Sequence, residues 1–169
     1  MNVYLRCTGG LSTFLLLACW LCTGQLYAQQ EPEALLAEGN YVAAANAFAA
    51  LNTRASSLKA GLAWYDADSL QRALDAYKMT TDKNGAAHKD SLAALAYHKT
   101  GVIYYDVEDD RRAANNYLLA ITIRDEIFPG PHNDRAHSRN NLATSLRYLG
   151  KLDSAALVIR ESIGIYEKL

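Results

Sequence analysis

Small side chains return along this chain at nearly fixed intervals, and that recurrence limits what it can fold into more than any other feature. A turn residue is followed five positions later by alanine and four further on by a bulky side chain. The four instances are Gly39-Ala44-Phe48, Asp68-Ala73-Tyr77, Glu108-Ala113-Tyr117 and Gly150-Ala155-Ile159. Ala73, Ala113 and Ala155 are spaced 40 and 42 residues apart, whereas Ala44 precedes Ala73 by only 29. Ahead of the later instances stands a second small–large pair: Gly61 with Trp64, Gly101 with Tyr104, Ala143 with Leu146. Two helices joined by a tight turn approach to ~8–10 Å only where one offers a small residue opposite a large one. Gly61, Gly101, Ala73, Ala113 and Ala155 are therefore read as holes, and Phe48, Trp64, Tyr77, Tyr104 and Tyr117 as knobs. One such hairpin cannot cover its own apolar face, so hairpins must stack.

Composition agrees with helix. The 169 residues are 50% hydrophobic and rich in alanine, and proline is confined to Pro32, Pro129 and Pro131. Alanine loses least on entering a helix, and proline cannot sit inside one. The pattern predicts helices over 33–38, 41–52, 55–66, 69–82, 89–106, 110–127, 133–148 and 152–169, with a turn at Lys83-Asn84-Gly85. Asn40, Ser69 and Asp109 stand where a side-chain oxygen can cap a second helix. Lys151 breaks that pattern, and Asp153 interacts favourably with the helix start instead.

Residues 1–28 form a separate object: Arg6, then an apolar run from Leu11 to Cys22 interrupted only by Ser12 and Thr13, then Leu26-Tyr27-Ala28. A basic start, a short apolar middle and a small residue at the end make a secretory signal peptide. The run is shorter than the ~20 residues a membrane span needs. Cleavage after Ala28 gives an exported chain, periplasmic or secreted, with no membrane span. Leu16-Leu17-Ala18-Cys19 offers an alternative, cleavage before Cys19 to leave a lipid anchor, although Trp20 and Leu21 carry the apolar run past it. Cys7, Cys19 and Cys22 all lie in the leader, so cleavage at Ala28 removes every thiol.

The small–large pattern resembles the tetratricopeptide-repeat (TPR) consensus, in the 42-residue form of kinesin light chains and of exported bacterial TPR proteins. The stretches that carry the resemblance are Ala120-Ile121-Thr122-Ile123-Arg124-Asp125, Pro129-Gly130-Pro131-His132, Asn140-Asn141-Leu142-Ala143 and Leu149-Gly150-Lys151-Leu152-Asp153-Ser154-Ala155. The resemblance covers about residues 33–169 and weakens in the first unit. It implies an all-α, right-handed TPR superhelix over 29–169, about three and a half repeats, ending in a minimal cap or continuing in a longer protein. It also implies a protein or peptide ligand on a concave groove lined by the first helices. On that alignment the groove candidates are Lys59, Leu62, Tyr65, His98, Val102, Tyr105, Asn140, Asn141, Thr144, Arg147 and Tyr148, with Leu58 and Lys99 beside them. Asn141 is the foremost contact, because an amide donates and accepts at once. Tyr65, Tyr105 and Tyr148 are read as matching positions, either a ladder of groove aromatics or partly buried between repeats.

Other chemistry has little support. The formal net charge of −1 comes with no basic stripe, so no nucleic-acid partner is expected. His88, His98, His132 and His137 show no metal-ligand spacing, and His132 falls in the connector. Glu108-Asp109-Asp110, Asp66-Asp68 and Asp125-Glu126 fall at turns and helix ends, where capping explains them. No phosphate loop or nucleophile motif occurs, so neither catalysis nor a cofactor is expected. The alternative reading is the docking region of a larger protein, of the kind that precedes CHAT-type protease or sensor kinase domains.

Overall fold

The computed structural model describes residues 31–83 and 86–169. The leader read over 1–28, Cys19 included, lies outside them. Eight helices follow one another among the described residues: α1 (Pro32–Ala37), α2 (Tyr41–Ala50), α3 (Arg54–Asp66), α4 (Leu70–Thr81), α5 (Ser91–Asp106), α6 (Asp110–Ile127), α7 (Asn133–Tyr148) and α8 (Leu152–Tyr166). Each packs on the helices before and after it, and α3 also touches α5, so the hairpins stack in chain order as a solenoid. None of the described helices is long and apolar enough to cross a membrane.

Four turns of one design close the hairpins. Gly39, Asp68, Glu108 and Gly150 take φ of 74°, 55°, 60° and 73°, the left-handed conformation that ends helices in a Schellman motif. Its two backbone bonds recur: Ser69 N–H donates to the Trp64 carbonyl (2.8 Å) and Asp68 N–H to Tyr65 (2.9 Å). In the next unit Asp109 donates to Tyr104 (2.8 Å) and Glu108 to Tyr105 (3.0 Å); in the last, Lys151 donates to Leu146 (2.9 Å) and Gly150 to Arg147 (3.0 Å). These bonds fix the register between units. Arg147 holds the position of Tyr65 and Tyr105, and Tyr148 that of Asp66 and Asp106, so the three tyrosines read as equivalent are not.

The holes and knobs meet as the spacing predicts. A Cβ on Gly61 would overlap the Tyr77 ring, and one on Gly101 would lie 2.7 Å from the Tyr117 ring. Ala143 takes the glycine's place in the last unit, where the aligned bulky residue is Ile159 rather than a ring. Ala73, Ala113 and Ala155 are all buried, as are Phe48, Trp64, Tyr77 and Tyr117. Tyr104 is only half-buried, with the Arg112 guanidinium 5.5 Å from its ring centre, as Arg72 lies 4.6 Å from Trp64.

Capping differs from expectation in part. Asn40 and Asp109 accept from Ala43 N–H (3.4 Å) and Arg112 N–H (3.0 Å). Ser69 does not cap α4; its hydroxyl donates at 3.5 Å to the Ala67 carbonyl. First helices carry caps of their own. Thr53 and Ser56 exchange side-chain-to-backbone bonds of 3.0 Å at the start of α3. Asp90 accepts from Ala93 N–H at 2.9 Å at the start of α5. Asp90 also receives both Arg54 terminal nitrogens, at 2.5 and 2.9 Å, which clips α3 to α5. Where helix was expected to run to residue 82, a two-residue antiparallel ladder pairs Asp82 with Ala87 and Lys83 with Ala86.

Candidate functional site

Five of the predicted residues come together. Val102 and Tyr105 on α5, with Asn141 and Thr144 on α7, line a cavity of about 310 Å³ whose walls include Asp106 and Tyr117. An adjoining cavity of about 610 Å³ shares Tyr105 and Asp106 and adds Glu108, Asp110 and Tyr148. The two form one groove along the first helices, with an amide at one end and carboxylates at the other. The register explains the grouping: one helical turn separates Val102 from Asp106, and near one turn separates Asn141 from Thr144, so each pair shares a face.

Groups in the groove are tied to one another. The Tyr65 hydroxyl donates to Asp106 Oδ2 at 2.7 Å, bridging two units, and this bond pushes the phenol up to about 12. Tyr105 and Tyr148 stand with ring centres 6.0 Å apart at 51°. The Tyr148 hydroxyl, then slight burial and the nearby charge of Asp110, raise the Tyr105 phenol. Burial first, and the Asp106 charge second, raise the Tyr117 phenol, against the pull of a hydrogen bond from the Asn141 amide. The Asn141 amide thus lies beside the phenol of Tyr117, the knob of the preceding hairpin. The Arg147 guanidinium lies 4.7 Å from the centre of the Tyr148 ring.

The other candidates lie apart from this groove. Lys59, on α3, is exposed and paired with Glu33 at 2.6 Å. Leu62 is half-buried, Asn140 is exposed, and Lys99 is half-buried. Two residues are interior and offer no groove surface: Leu58 is 5% exposed and His98 4%. His98 Nδ1 sits 3.0 Å from Ser138 Oγ, with its ring against Tyr117 and His137. Ser138 also accepts from Arg124 Nη1, and that nitrogen donates to the Asp134 carbonyl at 2.8 Å. Arginine only donates, so the serine oxygen accepts from it and the serine proton is free for His98 Nδ1. A His98 that accepts this proton at Nδ1 carries its own on Nε2. Burial, and then the charge of Arg124, push it down to about 3. Helical spacing sets His98 one turn from Val102 and so suggests a groove position, but α7 covers it.

A third cavity, about 540 Å³, lies between the 129–131 connector and α8 and is walled by Arg135, Arg139 and Glu161. Its two arginines are paired internally: Arg139 meets Asp125 at 2.6 and 3.1 Å and Glu161 at 3.1 Å, and Arg135 meets Asp125 at 2.8 Å. His132 sits in this connector, stacked on Phe128, and its Nδ1 accepts from Asp134 N–H at 3.2 Å. Among the described residues no group of three His, Cys, Asp or Glu side chains could hold a metal ion. Of the groove carboxylates, Glu108 and Asp110 are assigned to capping by the sequence, and Asp106 carries no signal of its own there.

No family model matches the sequence, and no curated protein sequence matches it. Solved structures do. The crystal structure of BtubC (BKLC) from P. vanneervenii matches with a TM-score of 0.67 at 20% identity, covering 82% of this chain and 66% of that one. The nearly identical TPR-like repeats of a putative kinesin light chain from Podosopora anserina match with a TM-score of 0.60 at 15% identity, covering 79% of this chain and 70% of that one. This chain therefore spans slightly under two thirds of BtubC. The Schellman-closed hairpins, the glycine-to-ring contacts between paired helices and these likenesses agree: the chain has the fold of a TPR-like repeat protein.

Proposed function

We propose that this chain is a non-catalytic scaffold that holds a peptide or protein segment in the groove between α5 and α7. The observation that carries the reading is the joint lining of one groove by Val102, Tyr105, Asn141 and Thr144, which the alignment of repeats selects from sequence. Tyrosine suits such a surface, offering large contact area with few rotors to freeze. Stacked helical repeats characteristically supply extended binding faces. The leader read over residues 1–28 supports a scaffold outside the cytoplasm, periplasmic or secreted, with a lipid anchor at Cys19 as the variant. A pulldown from the native extract with wild type and with Asn141→Ala plus Tyr105→Ala tests the groove. Partner recovery should fall at least about tenfold with the variant, a loss of about 1.4 kcal/mol; equal recovery ends the assignment.

A second reading is favoured by one face of α8, where Leu152, Ile163 and Tyr166 are exposed. Ile163 and Tyr166 correspond to Ile121 and Arg124, which α7 covers on α6. A surface ready for a further helix suits the docking region of a larger protein, carrying a CHAT-type protease or a sensor kinase domain. Reading the transcript past the codon for Leu169 separates the two: an in-frame catalytic domain supports the second and an immediate stop the first.

A further inference from the structure

We propose that the partner's bound segment inserts a basic side chain, lysine or arginine, into the part of the groove walled by Tyr105, Asp106, Glu108, Asp110 and Tyr148. The inference rests on the reading of the groove as a peptide site and specifies the chemistry of its occupant.

Three observations converge. First, this end of the groove presents carboxylates and ring faces around about 610 Å³, room for an ammonium or guanidinium with its stem. A cation within about 6 Å of a tyrosine face is attracted by the ring, and carboxylates beside the rings add direct charge attraction. Second, these carboxylates are not neutralised from within. None of the ion pairs among the described residues engages Asp106, Glu108 or Asp110. The neighbouring Arg147 lies over the Tyr148 ring instead. Third, Asp110 Oδ1 is buried and has no hydrogen-bond partner. With no donor of the fold on that oxygen and no ion pair to the side chain, the negative charge of Asp110 stays uncompensated at the cavity wall. An acidic segment would meet like charge here. An apolar one would leave the carboxylates desolvated and unpaired.

The test is selection of a randomised twelve-residue phage-displayed library on the full chain, with synthetic copies of the winners then titrated by calorimetry and followed through amide shifts. The winners should share a Lys or Arg and shift the amides of Tyr105, Asp106 and Tyr148. They should bind Asp106→Asn plus Asp110→Asn at least about tenfold more weakly. Asparagine at 106 keeps an acceptor for Tyr65, so that variant removes charge rather than the bridge. On wild type alone, raising NaCl from about 0.05 to 0.5 M should weaken binding about fivefold or more, because partly exposed charges are screened. Winners that shift the groove yet lack a basic residue, or bind regardless of the double variant or salt, overturn the inference and leave the groove reading standing. Winners that shift no groove amide overturn both.

Discussion

At Gly101 the space left for a side chain is smaller than one methyl group, because the Tyr117 ring edge already stands 2.7 Å from where a Cβ would sit. Tyr117 is 1% exposed, so its displacement would disturb packed neighbours. Gly101→Ala should therefore destabilise the chain by ~1–3 kcal/mol, the usual cost of overpacking. Gly164, inside α8, has nothing within 4 Å of its virtual Cβ, and Gly164→Ala should stabilise by ~0.5–1 kcal/mol through helix propensity. Urea denaturation of the two variants should move the midpoint in opposite directions. At this scale the sequence was most readable where size alone decides: a helical glycine facing an aromatic side chain points directly to close packing. It was least readable where burial depends on a helix far along the chain, as with His98, one turn from Val102 yet covered by α7.

Helical elements here are set by their ends. Asp68 and Glu108 adopt φ of 55° and 60°, which side chains other than glycine resist, while Gly39 and Gly150 adopt similar angles freely. Gly150→Ala should cost ~1–2 kcal/mol from backbone strain, although its Cβ would touch nothing within 4 Å. Glu108→Gly should be neutral or stabilising by up to about 1 kcal/mol, the relief of strain outweighing the extra entropy of the unfolded chain. Thermal melts of both variants measure the difference. The turn residues also explain an error of register. Tyr148 resembles Tyr65 and Tyr105 in lying near a helix end, but counting back from Gly150 as from Glu108 and Asp68 places Arg147 there. The 40- and 42-residue spacings were in view, and the turn rather than the aromatic was the better ruler. The ladder at Asp82–Lys83 and Ala86–Ala87 is too short for any strand periodicity to announce it.

Across the whole molecule, stability should depend on acidity through His98. Its folded value, near 3 against an ordinary 6.5, means that the unfolded chain binds a proton the native chain refuses. Stability is therefore full above about pH 6.5 and declines as pH falls toward 3, by at most about 1.4 kcal/mol per pH unit. The groups opposing protonation are Arg124 from α6, His137 from α7 and Lys99 from α5 itself. Asp90, held down to about 2 by the hydrogen bond from Arg54, adds its own loss only below its ordinary 3.8. The interval from about pH 6.5 to 4.5 thus reports His98 with little interference from Asp90. His98→Gln should flatten the pH dependence of the urea midpoint there; an unchanged slope would show that His98 is protonated in the native state.

Every helix is fastened to its neighbours in the chain, and first helices also touch from one unit to the next, α3 to α5 and α5 to α7. Duplicating or excising a complete hairpin would leave each remaining contact the same kind of surface to meet. Growth by whole modules is thereby open to this architecture, and repeats separated by 29, 40 and 42 residues can share one axis without any of them setting the length of the rest.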